Sequence, residues 1–169
     1  MFISNHVTFI DPMMLHLILW RRRLHCLATK DLYRTKLMSW FLNATLSVQV
    51  DKENFSMRSL HAVTDRLKEG KALLIFPEGT VNETKEEMLQ FKTGALLMAH
   101  LGNAPIVPVY LQRREKFIHR TYAVIGEPIN VRELCGPVPS MDKLQEACAL
   151  VESKTNELKE YLDNYKKGK

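Results

Sequence analysis

Residues 1–12 read Met-Phe-Ile-Ser-Asn-His-Val-Thr-Phe-Ile-Asp-Pro, and this stretch decides how the fold begins. The apolar run at residues 1–3 predicts a strand. Pro12 stands where a helix has its first residue, and Asp11 stands where that helix has its cap. The pattern is typical of a strand that passes through a short turn into a helix. Active sites of α/β folds lie at such junctions, just past the carboxyl ends of the strands.

The segments that follow alternate between strand-like and helix-like patterns. Further strands are predicted at 24–28, 46–50, 72–76, 106–111 and 122–125, and helices at 13–20, 31–42, 54–69, 94–101 and from Ser140 onward. This alternation predicts an α/β fold with a mixed, largely parallel sheet flanked by helices. Because the chain has 169 residues and no repeat or linker, we expect a single domain over residues 1–169.

Two of these strands have sequences that predict their position in the sheet. Residues 72–76 are all apolar, which favours a central strand buried on both faces. Residues 106–111 contain Pro108, which has no backbone N–H to donate to a neighbouring strand. We therefore expect this strand to lie at an edge of the sheet or to be locally distorted.

Composition and charge narrow the classes of function. The net charge of +5 favours anionic partners. The basic residues are scattered and aromatic residues do not alternate with them, so nucleic-acid binding is not predicted. The three cysteines have no CxxC spacing, which argues against both a disulfide scaffold and a zinc site.

Residues 13–20 and the arginines that follow form a candidate membrane contact. The apolar run is too short for a spanning helix, which needs about 20 residues. It ends in Trp20 and is followed by Arg21, Arg22 and Arg23. Apolar bulk, an aromatic residue suited to interfaces and adjacent positive charge fit the surface of an acidic bilayer. The alternative is a core helix with an exposed basic end.

His6 and Asp11 are the first candidates for chemistry. A turn can bring these positions together, whereas a regular helix or strand cannot place them on one face. Asp11 would then accept a hydrogen bond from one ring nitrogen of His6, leaving the other nitrogen free to take a proton from a hydroxyl. The alternative is a buried histidine at a strand end and an aspartate that caps the next helix.

Two further polar segments occupy comparable positions. The sequence Phe-Pro-Glu-Gly-Thr at 76–80 follows a buried strand, where Glu78 could hold a substrate hydroxyl and the amides around Gly79 and Thr80 an anion. Lys92 precedes a predicted helix N-terminus, which attracts anions. The alternatives are a tight turn with a solvated Glu78 and a surface Lys92. Because parallel strands end at one edge of a sheet, we expect the three segments to meet there.

Together these segments resemble the sequence blocks of the glycerolipid acyltransferase family, which includes bacterial 1-acylglycerol-3-phosphate acyltransferases. The HxxxxD block of the family is matched at 6–11, and its Phe-Pro-Glu-Gly-Thr block is unaltered at 76–80. Its other blocks are matched, in the expected order, at 50–52, 91–94, 107–109 and 126–129. The resemblance covers almost the whole chain.

The resemblance implies transfer of a fatty acyl group from an acyl thioester, on coenzyme A or acyl carrier protein, to the hydroxyl of a lysophospholipid, foremost 1-acylglycerol-3-phosphate. It implies that His6 is the general base and Asp11 its orienter, with no acyl-enzyme intermediate. Substrates would be bound by Glu78, Gly79, Thr80, Lys92, Lys52 and Pro108, the last on the acyl-donor side. No metal and no cofactor other than the acyl donor are expected. We expect a peripheral protein at the cytoplasmic face of a membrane.

The sequence departs from the family pattern at three points. Lys52 and Val81 stand where members often have arginine, and lysine lacks the planar two-point grip of arginine. The upstream helices and strand usual in the family are expected to be absent. These departures leave glycerol-3-phosphate or another lysolipid as an alternative acceptor, and a non-catalytic lipid-binding remnant as an alternative class. A hydrolase with Cys26 or Thr80 as nucleophile is a further alternative.

Overall fold

The computed structural model describes residues 1–29, 33–34, 36–45, 47–50, 57–82, 88–112 and 121–168. The strands in these residues are β1 (Phe2–Ser4), β2 (His25–Thr29), β3 (Val48–Val50), β4 (Leu73–Ile75), β5 (Val107–Leu111) and β6 (Ala123–Ile125). They form one six-stranded sheet in the order β3-β2-β4-β1-β5-β6. All neighbouring strands are parallel except β5 and β6, which are antiparallel. The predicted α/β fold with a largely parallel sheet is confirmed.

Helices cover both faces of this sheet. The α-helices in the described residues are α1 (Asp11–Ile18), α2 (Lys36–Ala44), α3 (Met57–Lys68), α4 (Gly94–Leu101), α5 (Val131–Cys135) and α6 (Met141–Lys167), and a short 3-10 helix (Trp20–Arg22) follows α1. Crossovers between parallel strands are right-handed, and with this strand order that rule puts α1 and α2 on one face, and α3 and α4 on the other. The buried clusters agree, because α3, α4 and α6 share one apolar core, while α1 packs on the opposite face through Leu15.

The two central strands bring the predicted polar segments to one edge. β1 lies between β4 and β5, with Phe2 paired to Leu74 and Ile3 paired to both Ile75 and Pro108. The burial of β4 on both faces is confirmed, since its three residues are all buried. Because β1 and β4 are parallel neighbours, the loops that leave their carboxyl ends are adjacent.

Of the two alternatives predicted for the Pro108 strand, an edge position or a local distortion, the edge position was wrong, since β5 lies between β1 and β6. The Val107 amide donates to the Met1 carbonyl, whereas the Pro108 carbonyl accepts from Gly126. The side of Pro108 that lacks a donor therefore faces the end of β6 and leaves the β1 ladder intact. A proline fits inside this sheet because its antiparallel partner strand ends at Ile125.

The close approach of Gly126 to the Pro108 ring leads to a prediction on stability. A Cβ at Gly126 would lie 2.9 Å from Pro108 Cγ and 3.2 Å from Leu158 Cδ1. We expect Gly126→Ala to lower the free energy of unfolding by about 1–3 kcal/mol through overpacking, as measured by urea denaturation. Gly94→Ala is the control, because a Cβ there meets no atom within 4 Å. Equal urea midpoints for the two variants would contradict the steric argument.

Candidate active site

His6 joins the end of β1 to the loop that follows β4. Its amide donates to Glu78 Oε1 over 3.2 Å, although the two residues are 72 apart in sequence. Its carbonyl oxygen accepts from the Asn82 amide over 2.7 Å. Its ring stacks on Phe76, with centroids 4.1 Å apart and planes inclined by 21°. The backbone and the ring of His6 are therefore both held by residues 76–82.

Asp11 is buried and bonds back to the turn that precedes it. Its Oδ2 lies 3.1 Å from His6 Nδ1 and accepts from the amides of Val7 at 2.6 Å and Thr8 at 2.7 Å. Its Oδ1 accepts from the Thr8 hydroxyl at 2.5 Å. The prediction of an Asp11 cap was wrong, since Asp11 is the first residue of α1 and Ile10 occupies the cap position. The carboxylate instead closes the turn that brings it to His6.

The charge on Asp11 decides which ring nitrogen of His6 carries the proton. Burial acts to raise the pKa of Asp11, but hydrogen bonds from His6, Thr8 and Val7 outweigh it and hold the pKa below its ordinary value. An ionised carboxylate only accepts, so we assign the proton of a neutral His6 to Nδ1. No described residue hydrogen-bonds Nε2. Its lone pair is free to take a proton from a substrate.

Glu78 is a second buried carboxylate at this edge, only 3% exposed. Its Oε1 accepts from His6, while Oε2 is buried and has no hydrogen-bond partner within the described ranges. Burial raises the pKa of Glu78, against the opposing effects of the His6 amide and the nearby Leu89 amide. The alternative of a solvated Glu78 is therefore wrong. A buried carboxylate oxygen without a partner is suited to accept a hydrogen bond from a substrate hydroxyl.

Lys92 extends over the turn at Gly79. Gly79 has a φ of 72°, and a Cβ there would lie 2.7 Å from Lys92 Nζ. Both the left-handed backbone and the close approach favour glycine at this position. The Lys92 amide also donates to the Pro77 carbonyl over 3.0 Å, which fixes the two loops together. The ammonium group thus places positive charge beside the Gly79 backbone.

The structure brings some of the predicted site residues together and leaves others apart. Those that meet at this edge are His6, Asp11, Glu78, Gly79 and Lys92. Thr80 is exposed just after the turn. Pro108 pairs with Ile3 and lies near Gly126 and Leu158, away from this cluster. Lys52 lies outside the described residues. Within the ranges described, no three His, Cys, Asp or Glu side chains are grouped to hold a metal ion.

Asn5 supports the site in a way that the sequence analysis missed. Its buried side chain donates from Nδ2 to the Leu111 carbonyl over 2.9 Å and accepts at Oδ1 from the Leu111 amide over 2.7 Å. This amide pair continues the β1–β5 ladder beyond Ser4, the last residue of β1, and fixes where His6 leaves the sheet. The available signal was an amide side chain at a strand end, directly before the histidine.

The environment of Cys26 disfavours the cysteine-hydrolase alternative. Cys26 is free, buried in β2 and packed in the same apolar cluster as Leu15 of α1. Burial raises the pKa of its thiol to about 12. Because the thiolate is the nucleophilic form, burial disfavours Cys26 as a nucleophile at neutral pH.

Comparison with known proteins places these residues in a family. The sequence model described as "Acyltransferase" matches residues 1–112, which include both the His6–Asp11 turn and the 76–82 loop. The 1-acyl-sn-glycerol-3-phosphate acyltransferase of Bacillus subtilis is 30% identical over 164 residues, which cover 94% of this chain and 80% of that protein. The enzyme of the same name from Saccharomyces cerevisiae is 31% identical over 140 residues, but the match covers only 46% of its length.

A solved structure shows the same fold. The crystal structure of the 1-acyl-sn-glycerophosphate (LPA) acyltransferase PlsC from Thermotoga maritima superposes with a TM-score of 0.69 and 21% sequence identity. The match covers 95% of this chain and 65% of that one. The arrangement of strands and helices is therefore shared over nearly the whole of the chain.

Proposed function

This chain belongs to the glycerolipid acyltransferase family, and on that basis we propose that it transfers a fatty acyl group from an acyl thioester to the free hydroxyl of a lysophospholipid. The leading acceptor is 1-acylglycerol-3-phosphate, and the product is phosphatidic acid. The observation that carries the proposal is the geometry of His6, whose Nδ1 lies 3.1 Å from the Asp11 carboxylate while Nε2 has no partner in the described part of the chain.

The proposed reaction is a direct transfer with His6 as general base. Nε2 takes the proton of the acceptor hydroxyl as its oxygen attacks the carbonyl carbon of the thioester. The tetrahedral intermediate then collapses, the C–S bond breaks, and the imidazolium returns the proton to the departing thiolate. Asp11 stabilises the positive charge that develops on the ring. The donor is an acyl chain on coenzyme A or acyl carrier protein, and the mechanism is the same for both.

The surroundings of His6 suggest how the acceptor is held. We assign the glycerol part of the acceptor to Glu78. The His6 amide donates to its Oε1, whereas its buried Oε2 has no hydrogen-bond partner among the described residues. We assign the phosphate to Lys92, because its ammonium group lies over Gly79. Val81 stands where members of the family often have arginine. Lys92 is therefore the described cation best placed to bind the phosphate.

Replacing Lys92 tests the phosphate assignment. We expect Lys92→Met to raise the KM for 1-acylglycerol-3-phosphate roughly tenfold to a hundredfold, because one charge-assisted hydrogen bond is lost, with a smaller change in kcat. The KM for a neutral 1-acylglycerol should not change. Lys71→Met is the control, since Lys71 is exposed at the opposite end of β4. Equal rises in KM for charged and neutral acceptors would refute the assignment.

The proposed activity itself is tested with the purified protein. Acyl-coenzyme A and acyl carrier protein thioesters are supplied in turn, with either 1-acylglycerol-3-phosphate or glycerol-3-phosphate as acceptor, and lipid products are separated by chromatography. We expect phosphatidic acid from the first acceptor and little acylation of the second. If no thioester is consumed with any acceptor, the proposal fails.

We propose that this reaction takes place at the cytoplasmic face of a membrane, with the protein bound peripherally. The acceptor and the product are bilayer lipids, whereas coenzyme A and acyl carrier protein thioesters are delivered from water. Within the described residues, no helix combines the length and the apolar composition needed to cross a bilayer.

A further inference from the structure

The outward side of α1 is apolar, whereas a surface helix normally presents polar side chains to water. Phe9, Met13 and Leu17 recur every four residues and are 54%, 41% and 70% exposed. Trp20, in the short 3-10 helix that follows, is 73% exposed. On the inward side Leu15 is fully buried against the sheet. The helix is therefore apolar on both sides, and the described part of the chain covers only one of them.

Positive charge adjoins these side chains. Arg21, Arg22 and Arg23 are all exposed, and the Arg21 guanidinium lies 5.9 Å from the centre of the Trp20 ring. Trp20, Arg21 and Arg23 also border an open cavity of about 570 Å³. Asp11 is the only acidic residue between positions 9 and 23, and it is buried. This segment thus exposes apolar side chains and cations but no carboxylate. We call it the α1 surface, which comprises Phe9, Met13, Leu17, Ile18, Trp20 and Arg21 to Arg23.

The neighbouring helix α2 extends the same face of the molecule. The crossovers place α2 on the side of the sheet that carries α1. Its Trp40 is 69% exposed. Both tryptophans of the chain are thus exposed on the layer formed by α1 and α2. Tryptophan is the residue that most favours the boundary between a bilayer and water.

We infer that the α1 surface binds an anionic bilayer, with its apolar side chains in the interfacial region and its arginines against lipid phosphates. This deepens the proposed function, which requires an acceptor that resides in a membrane. Phe9 lies in the turn between His6 and Asp11, so binding through the α1 surface sets the catalytic pair at the interface. The acceptor hydroxyl then reaches Nε2 while the acyl chain of the acceptor stays in the bilayer.

A second copy of the chain is a less suitable occupant. In a two-fold contact the same surface faces itself, so three arginines from each copy would be brought together without a carboxylate from the α1 surface between them. An anionic membrane neutralises these charges, and each arginine near such a surface favours binding. Charge complementarity therefore favours the bilayer.

Vesicle flotation tests the inference with vesicles of phosphatidylcholine alone and of phosphatidylcholine mixed with phosphatidylglycerol. We expect wild type to float with the mixed vesicles. Leu17→Glu and Trp20→Glu should each weaken binding about tenfold, so the double variant should bind about a hundredfold more weakly. Arg21→Gln with Arg22→Gln should weaken binding to mixed vesicles by roughly fivefold for each charge, and leave binding to phosphatidylcholine unchanged.

The controls separate membrane binding from catalysis. Val138→Glu should bind as wild type, because Val138 is 83% exposed but lies between α5 and α6, on the other side of the sheet. His6→Gln should float like wild type whether or not the proposed activity is correct. The Leu17→Glu and Trp20→Glu protein should acylate a short-chain acceptor dissolved as monomers at the wild-type rate, and an acceptor embedded in vesicles much more slowly.

Two results would overturn the inference. One is equal flotation of wild type and the Leu17→Glu, Trp20→Glu protein. The other is a wild type that floats with neither kind of vesicle and forms a dimer in light scattering that the same two substitutions dissociate. In that case a second copy covers the α1 surface. Wild type that floats as expected but transfers no acyl group leaves the inference intact and refutes the proposed function.

Discussion

Replacing His6 by glutamine is expected to lower kcat/KM for acyl transfer roughly a thousandfold. Nε2 is the described atom best placed to take the proton of the acceptor hydroxyl, since the ring is held by Asp11 on one side and by stacking on Phe76. Glutamine keeps a polar side chain but cannot accept and return a proton at neutral pH. Thiol release from the acyl thioester, followed spectroscopically, measures the loss.

The variant must remain folded for this comparison to be informative. The hydrogen bonds of the His6 backbone to Glu78 and Asn82 do not depend on the imidazole, so we expect a urea midpoint close to that of wild type. His61→Gln is the matched control, because His61 is exposed on α3. A His6→Gln protein that is folded and turns over acyl thioester as fast as His61→Gln would rule out general-base catalysis by His6.

Replacing Asp11 by asparagine is expected to lower kcat roughly a hundredfold to a thousandfold with little loss of stability. An asparagine oxygen in the place of Oδ2 can still accept from the amides of Val7 and Thr8, and its NH₂ group can donate to the Thr8 hydroxyl. The turn is then preserved, but the negative charge that stabilises the imidazolium of His6 is removed. Kinetics at saturating substrate and urea denaturation separate the two effects.

Asp11→Ala should lose both activity and stability. The buried amide of Val7 and the half-buried groups of Thr8 would have no acceptor, at a cost of about 2–4 kcal/mol in the free energy of unfolding. If Asp11→Asn keeps full activity, the carboxylate serves only to close the turn. If Asp11→Asn is as unstable as Asp11→Ala, the proposed exchange of hydrogen bonds is wrong.

The same carboxylate sets a pH dependence of stability. The pKa of Asp11 in the folded protein lies below its ordinary value, so the unfolded chain binds a proton first as pH falls. The contribution of Asp11 is therefore fully present above its ordinary pKa and is lost as pH falls through the lower folded-state pKa. Asp11→Asn should be less sensitive to acid over this range, which thermal melts between neutral and acid pH can show.

Much of this arrangement follows from patterns in the sequence. The apolar run at 72–76 predicts the central strand β4, and the run at 1–3 predicts β1, which lies beside it. Once two parallel strands are adjacent, the segments after their carboxyl ends must meet. This is why His6 and Glu78 come into contact although they are 72 residues apart. The proximity of the two blocks is a consequence of the strand order, in which β1 and β4 are neighbours, and the apolar runs do not specify that order.

Other features depend on tertiary contacts that local patterns do not record. Pro108 is tolerated inside the sheet because β6 ends at Ile125, next to the side of β5 that lacks a donor. An aspartate before a proline has the local pattern of a helix cap, but Asp11 accepts from the Val7 and Thr8 amides of the preceding turn, and no described side chain caps α1. The role of Asn5 depends on Leu111, 106 residues away.

Direct acyl transfer at the His6–Asp11 pair is tested most simply by mixing the enzyme with acyl thioester and following thiol release before and after 1-acylglycerol-3-phosphate is added. We predict no release of thiol before the acceptor is added, and afterwards one thiol for each molecule of phosphatidic acid formed. A burst of thiol equal to the amount of enzyme in the absence of acceptor, with the acyl group bound to the protein in its intact mass, would contradict direct transfer.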